Sequence, residues 1–415
     1  MTPAARIQSA IEILEALEKT SFPADRFIRD WFRMRRYAGS KDRAAVAERV
    51  YDVLRHRASY AWRMQNEAAR ALVIASVLAE GGDVDALFDG AGYGAKPLDG
   101  AERAAINAPM EGEMPRAARC EFPAFLEDEL VRSLGTSLEV EMTAMLARAP
   151  VDLRVNTLKA ARGDALARLQ ADGIDAQPTP YSPHGIRIAA TEGLAVLRRH
   201  EAFESGLFEF QDEAAQIAAL LAGAKSGERI LDLAAGAGGK ALALAAEMDN
   251  DGEIAACDID PGRLLQIGPR ATRAGVTIIR VAEGEPPQDL FDVVFIDAPC
   301  SGSGTWRRQP EQKWRLTPAR LAELMAIQDA LLEQGATRVA PGGRLVYATC
   351  SLFVCENEDR IAAFCAKHPE FALQPAAEVW SGAPIPGMSE YFRASPAATG
   401  TDGFFAAILV HRRAP

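Results

Sequence analysis

Apolar residues recur at helical spacing through the first 80 positions. Ile7, Ile11, Leu14 and Leu17 line one face of a helix over 3–19, and Thr2 stands where a cap is needed ahead of Pro3. The same period runs through DRFIRDWFRMRRYAG (25–39) and KDRAAVAERVYDVLRHRASYAWRM (41–64), with Ser40 as a candidate cap for the second. It returns in EAARALVIASVLAE (67–80), where Gly81-Gly82 is a stop signal. Shorter helices are expected over 83–148, so residues 1–148 read as an all-α domain. At Pro150 the pattern changes. VDLRVNT and GIRIAA alternate as strands around a short helix, GDALARLQADG, which predicts a small α+β subdomain over 149–205.

From 206 to 415 strands and helices alternate. FQDEAAQIAALLAG reads as a helix, ERILDLAAGAGGKALALAAEM as strand, glycine turn and helix, and EIAACDIDPGRLLQI as strand then helix. VTIIRV, DVVFIDAP and GRLVYATCS supply three more strands, the last preceded by the long helix TPARLAELMAIQDALLEQGATRVA. A Pro/Gly/Ser-rich loop at 381–403 leads to a final strand, DGFFAAILVH. Alternation at this spacing predicts an α/β fold, a largely parallel, doubly wound sheet with helices on both faces.

Length and composition change this picture little. A chain of 415 residues is too long for one ordinary core, and 48% hydrophobic with 25% charged residues is an ordinary globular balance. No apolar run approaches the roughly 20 residues that a membrane span needs. The N-terminal stretch lacks a signal peptide's apolar segment, and six cysteines without regular spacing do not form a disulfide framework, so a cytoplasmic monomer away from membranes is expected. No cysteine or histidine spacing suits a metal. The net charge of −11 opposes indiscriminate nucleic-acid binding, yet residues 1–63 carry 13 Lys/Arg against 8 Asp/Glu. Arg29, Arg33 and Arg36 fall on one helical face at i, i+4 and i+7. The helical domain is therefore either an RNA-docking module or a scaffold. Trp306, Arg307, Arg308, Lys313 and Trp314 are a second candidate grip on RNA; the bland alternative makes Trp314 core and the two arginines solvated.

Three turns carry the chemistry. The first, Ala234-Ala235-Gly236-Ala237-Gly238-Gly239-Lys240, follows a strand ending at Asp232 and opens a helix. It matches neither the dinucleotide fingerprint nor a phosphate-binding Walker loop. An acid before a short glycine turn suits S-adenosyl-L-methionine, whose amino and sulfonium groups are cationic. Asp258, about 20 residues on at the next strand end, stands where a carboxylate accepts ribose hydroxyls; Asp260 suits a helix cap. The second and third turns hold Cys300, after Asp297-Ala298-Pro299, and Cys350, between Thr349 and Ser351. If their strands are neighbours, both thiols hang over one crevice as a catalytic pair, with Lys240 as a cation able to favour a thiolate. Cys257, Cys355 and Cys365 read as inert apolar residues.

DAPCSGSG, YATCS and ILDLAAGAGGK, with QPEQKWR, FQDEAAQ and TDGFFAAIL, resemble the Nop/Sun (Fmu-like) family of RNA cytosine-5 methyltransferases over all of 206–415. LRVNTLKA resembles that family's small RNA-binding subdomain, and the helical N-terminus resembles the NusB-like domain of its bacterial ribosomal-RNA members. The resemblance implies a Rossmann-like class I methyltransferase domain over 206–415, an α+β RNA-binding subdomain over 149–205 and a NusB-like domain over 1–148. It further implies S-adenosyl-L-methionine as cofactor and RNA, above all ribosomal RNA, as partner. Cys350 would be the nucleophile that adds to carbon-6 of cytosine, and Cys300 would help release the product. Asp297 would contact the base, and residues 234–240 with Asp258 would bind the cofactor.

Two features depart from the family pattern. The usual CAAPGGKT reads AAGAGGKA here, and the cofactor acid expected after the third strand is replaced by VAEGEPP, with Glu283 as the substitute. These departures open an alternative, an RNA-binding paralogue with weak or lost turnover. A third reading is a methyltransferase for an exocyclic amine, which needs no thiol.

Overall fold

A computed structural model describes residues 1–110, 112–189, 194–282 and 284–413. The chain divides into two compact units, one of residues 1–131, 138–146 and 306–315, the other of 132–137, 147–305 and 316–415.

The first unit is helical. Thr2 caps the helix Pro3–Leu17, its hydroxyl accepting the Ala5 N–H at 3.2 Å. The pattern over 41–64 resolves into two helices, Ser40–Arg55 and Arg57–Met64, separated at His56. Ser40 is the first helical residue rather than the cap: the Asp42 carboxylate reaches back to the Gly39 N–H at 3.3 Å and satisfies that end itself. The helix Ala24–Arg33 stops at Arg33, so Arg36 lies beyond it and the three arginines do not share a helical face. Ile11, Leu14, Val46, Val50, Val53 and Leu72 meet in the core, the positions at which the apolar period pointed inward.

Residues 306–315 belong to this helical unit. Trp306 is 1% exposed and Lys313 3%. Within the helix Pro310–Arg315, Trp314 Nε1 donates to the Leu54 carbonyl at 2.7 Å and Lys313 Nζ to the Arg55 carbonyl at 3.2 Å. Glu311 accepts the Ala24 N–H at 2.9 Å. These groups are spent on helix ends and packing, which corrects the expected RNA grip of Trp306, Lys313 and Trp314.

The second unit holds two sheets. In the smaller, β1 (Val151–Val155), β2 (Ala176–Pro178), β3 (Gly185–Ile188) and β4 (Phe208–Phe210) run antiparallel in the order β2-β3-β1-β4. The larger contains β5 (Arg229–Asp232), β6 (Glu253–Ala256), β7 (Ile279–Val281), β8 (Phe291–Asp297), β9 (Val339–Thr349), β10 (Phe371–Gln374), β11 (Phe392–Ala394) and β12 (Phe404–His411). Its order is β10-β12-β9-β8-β5-β6-β7, with β11 paired to β12 outside that path. Pairs among β5 to β9 are parallel, whereas β12 runs antiparallel to β9, β10 and β11. The loop expected over 381–403 therefore contains a short strand, and it is followed by a helical turn, Pro396–Thr399.

Each face of this sheet has its own core, because alternate residues of a buried strand point opposite ways. Ile230, Val293, Phe295, Val346 and Ile408 pack with residues of the helices Glu213–Leu220 and Gly239–Glu247. Leu231, Val294, Ile296, Leu345 and Leu409 pack with Leu332, Ile361 and Phe364 on the other side. The chain proceeds from β5 outward to β7, then returns to place β8 on the opposite side of β5. That reversal opens a crevice at the carboxyl ends of β5 and β8.

Burial pulls the Lys313 amine down to about 7, with Glu121 opposing and Arg55 assisting the shift. In the unfolded chain the same amine keeps its proton to about pH 10.4. Between these values the unfolded state binds more protons, so the Lys313 contribution to stability rises with pH from 7 towards 10. Calorimetric melting of the full chain across that window should show the Lys313→Met variant losing this part of the slope and gaining stability at pH 7.

Candidate active site

The glycine turn is strung between two strands. After Asp232, the Leu233 N–H donates to the Phe295 carbonyl of β8 at 2.9 Å, and the Ala235 N–H donates to the Cys257 carbonyl beyond β6 at 2.8 Å. Gly238, at φ +80°, caps the helix Gly239–Glu247 in a left-handed conformation, and a Cβ there would sit 2.9 Å from Ile267. Ala234, Ala235, Gly236, Ala237, Gly238 and Gly239 thus form one turn over the crevice. Asp258 closes on it: its carboxylate accepts the Gly236 N–H at 2.7 Å and the Asp260 N–H at 2.8 Å. Asp260 caps the helix Pro261–Leu264. Glu283 lies outside the described residues.

Two arginines hold the turn from behind, and neither was evident in the sequence. Arg154 of β1 donates to the Gly239 carbonyl at 2.8 Å and to Gln211, while Arg270 donates to the Ala237 carbonyl at 2.6 Å. Glu209 of β4 pairs with Arg270 at 2.9 Å and with Arg273. Arg154 lies in the segment LRVNTLKA, whose resemblance pointed to RNA and not to the glycine turn; Asp152 and Arg187, which pair across the small sheet, look the same in sequence.

The thiols meet as the strand ends dictate. In the parallel pairing of β8 and β9, Asp297 stands beside Ala348, and the Ala298 N–H donates to the Ala348 carbonyl at 2.8 Å. Three residues past one strand and one past the other, Cys300 Sγ and Cys350 Sγ lie 3.4 Å apart. Both side chains are half-buried, and all six cysteines are free. The hydrogen bond to Cys350, followed by burial and the charges of Cys350 and Glu356, pushes the Cys300 thiol well up. Cys257 is different: burial alone leads in pushing it to about 11. Lys240 Nζ sits 3.0 Å from Asp297 Oδ2 and 5.0 Å from the centre of the Phe404 ring, which links the glycine turn to the Cys300 turn. Gly304 and Gly403 meet backbone to backbone, the Gly403 N–H donating to the Gly304 carbonyl at 2.8 Å; a Cβ on Gly304 would lie 2.2 Å from the Gly403 oxygen.

A doubly wound sheet with β12 antiparallel beside β9, and a glycine turn at its switch point, is the Rossmann-like fold of a class I methyltransferase. Comparisons with known proteins agree. Residues 218–410 match the family described as 16S rRNA methyltransferase RsmB/F, and residues 122–193 match the ferredoxin-like domain of RsmF/B-like methyltransferases. Ribosomal RNA small subunit methyltransferase B of Salmonella newport is 33% identical over 302 residues, 71% of this chain and 67% of the relative. A Synechocystis protein named as probable ribosomal RNA small subunit methyltransferase B is 33% identical over 262 residues, 61% of this chain; the alignment spans 58% of the relative's length. The crystal structure of PH0851 superposes at TM-score 0.78 with 25% identity, covering 99% of both chains. The chain belongs to the RsmB/F methyltransferase family, a Nop/Sun-type lineage as the motifs indicated.

S-adenosyl-L-methionine is the family's cofactor, and one buried group tests whether this crevice fits it. Asp232 is 0% exposed, with no hydrogen bond of ordinary geometry to either carboxylate oxygen among the described residues. Burial, then the charge of Asp297, pushes its carboxyl up to about 8 against the pull of Lys240. A buried acid beside a glycine turn, with only the Ala234 N–H directed at it, fits a cationic ligand, which would restore the anion. Because the unliganded carboxyl holds its proton at pH 7, cofactor binding should release that proton. Calorimetry at pH 7 in buffers of different ionisation heat should detect the release in the native chain. In Asp232→Asn the release should vanish and affinity should fall about tenfold, the equivalent of one pKa unit of interaction.

Proposed function

We propose that this chain methylates carbon-5 of a cytosine in ribosomal RNA through a covalent adduct at carbon-6, with Cys350 as the nucleophile. The observation that carries the proposal is the 3.4 Å separation of Cys300 and Cys350 at the ends of two adjacent parallel strands. Methylation of an exocyclic amine has no use for such a pair. Ribosomal RNA as the substrate is supported by the relatives named above.

Carbon-5 of cytosine is a poor nucleophile until a thiolate adds to carbon-6 and turns the ring into an enamine. Cys300, held as the thiol, leaves Cys350 to supply that thiolate. S-adenosyl-L-methionine, when bound, supplies an electrophilic methyl group. Asp297, bonded to Lys240, contacts the ring at N3, where a shared proton offsets the charge that builds up during addition. Once carbon-5 is methylated, its proton leaves to a base and the bond from carbon-6 to sulfur breaks, its electron pair returning to Cys350. Cys300 assists that release from 3.4 Å away. Residues 234–240, with Asp258, would hold the cofactor, and Glu283 would take the place of the family's missing acid. The target cytosine must be unpaired or flipped, because a stacked ring offers neither face to a thiol. The chain works as a monomer in the cytoplasm, a setting supported by its six free cysteines.

Bisulfite sequencing of ribosomal RNA from cells with and without the gene tests the proposal directly. A cytosine that stays protected only when the gene is present is expected; identical patterns would overturn it. Cys350→Ala should lose at least about a thousandfold in rate, because removal of a nucleophile leaves only binding and positioning. Cys300→Ala should accumulate a protein–RNA adduct that survives denaturing electrophoresis. Normal turnover without that adduct would remove Cys300 from the reaction.

A further inference from the structure

Beneath the two thiols lies a buried carboxylate that the reaction scheme does not use. Glu356 ends a short 3-10 turn, Val354–Glu356, six residues after Cys350, and it is 0% exposed. Four donors converge on it. The Ser301 N–H donates to Oε1 at 2.8 Å and Gln328 Nε2 to the same oxygen at 3.0 Å. The hydroxyls of Ser301 and Ser351 both donate to Oε2 at 2.5 Å. Ser301 directly follows Cys300, and Ser351 directly follows Cys350. One carboxylate therefore ties together the residues adjoining both thiols.

The surrounding bonds stiffen this knot. Ser303 Oγ lies 3.2 Å from Ser301 Oγ and 3.1 Å from Ser351 Oγ, and it accepts the Leu352 N–H at 2.8 Å. Gln328 also donates to the Pro299 carbonyl at 3.0 Å, and the Tyr347 hydroxyl donates to the Glu356 carbonyl at 2.7 Å. Asn357 accepts from Thr349 at 2.6 Å and donates to the Ser351 carbonyl at 2.9 Å.

Resting on the covalent reading above, we propose that Glu356 is the positioning residue of the thiol pair: it registers the two cysteine turns and reserves the thiolate for Cys350. Two physical effects combine. Three of the four hydrogen bonds to this carboxylate fix Ser301 and Ser351, and so the backbone from which each thiol projects. A fixed negative charge beneath the Cys300 turn also disfavours a second negative charge on Cys300; that charge is one cause of the upward push on its thiol. Without it, one of the causes that keep the proton on Cys300 is lost, and the preference for Cys350 narrows.

Glu356→Gln separates charge from shape. The amide oxygen can still accept from Ser301 and Gln328, and serine hydroxyls can rotate to accept from the amide nitrogen. Trace alkylation of the full chain with iodoacetamide, mapped by mass spectrometry of the Cys300 and Cys350 peptides between pH 6 and 10, reads each thiol separately. In the native chain Cys350 should react at lower pH than Cys300. In Glu356→Gln the Cys300 profile should move to lower pH, with reaction at pH 8 faster by about threefold or more. A folded Glu356→Gln chain whose Cys300 profile matches the native one would overturn the proposal. Cys300 reacting ahead of Cys350 in the native chain would do the same, and that readout needs no variant to fold. Alkylation requires neither RNA nor cofactor. Absence of any methylated cytosine would therefore sink the proposed reaction while leaving this order of reactivity to be read.

Discussion

The parallel pairing of β8 with β9 is the constraint on which the catalytic unit depends. Its register sets Asp297 beside Ala348 and Phe295 beside Val346, so both strands end at one level. Beyond those ends each chain has room for only a short turn, and each turn carries a thiol. A slip of one residue would reverse every side chain of a strand that is buried on both faces. Val294 and Leu345 belong to one core and Val293 and Val346 to the other, so the packing of both faces forbids that slip. The antiparallel strand β12 secures the far side of β9 through six paired positions, Phe405–Val410. The thiol separation thus follows from hydrophobic packing well below the site.

Charge is the second organising theme. Burying an isolated ion costs several kcal/mol, and such groups survive when neighbours complete them. Lys240 and Asp297 complete each other across the crevice, and Glu356 draws four donors. Arg154 is supported by Gln211 and the Gly239 carbonyl, and burial still pulls its guanidinium down to about 10. Asp232 is the exception, the one acid at the crevice whose oxygens have no partner of ordinary geometry among the described residues. A buried acid with so little hydrogen bonding marks where a ligand is expected.

The departures from the family's glycine turn are accommodated by the backbone. Ala237 stands where the family has proline, and its carbonyl accepts from Arg270 while Gly238 makes the left-handed turn into the helix. The small antiparallel sheet contributes to this through Arg154 of β1 and Glu209 of β4. A segment that resembles an RNA-binding subdomain thereby also braces the glycine turn.

Much of this protein was legible in one dimension. Period 3.6 marked the helices of the first 80 residues, and period 2 or short apolar runs marked the central strands of the large sheet. Glycine, proline and cysteine marked the three turns that meet at the crevice, because turn geometry is encoded by a few adjacent residues. The failures have a common cause. Arg36 was placed on a helix that ends at Arg33, since periodicity does not weigh a cap. Trp306, Lys313 and Trp314 read as an exposed basic and aromatic grip, yet folding buries the first two and ties Lys313 and Trp314 to a helix end more than 250 positions away. Glu356 resembled any charged residue at the start of a helix, and Arg154 any charged residue on a strand. Local pattern decided which segments become helices, strands and reactive turns, because those preferences act over a few residues. Which buried charges are completed, and how close two thiols come, was decided by long-range register and burial, and these exist only once the chain has folded.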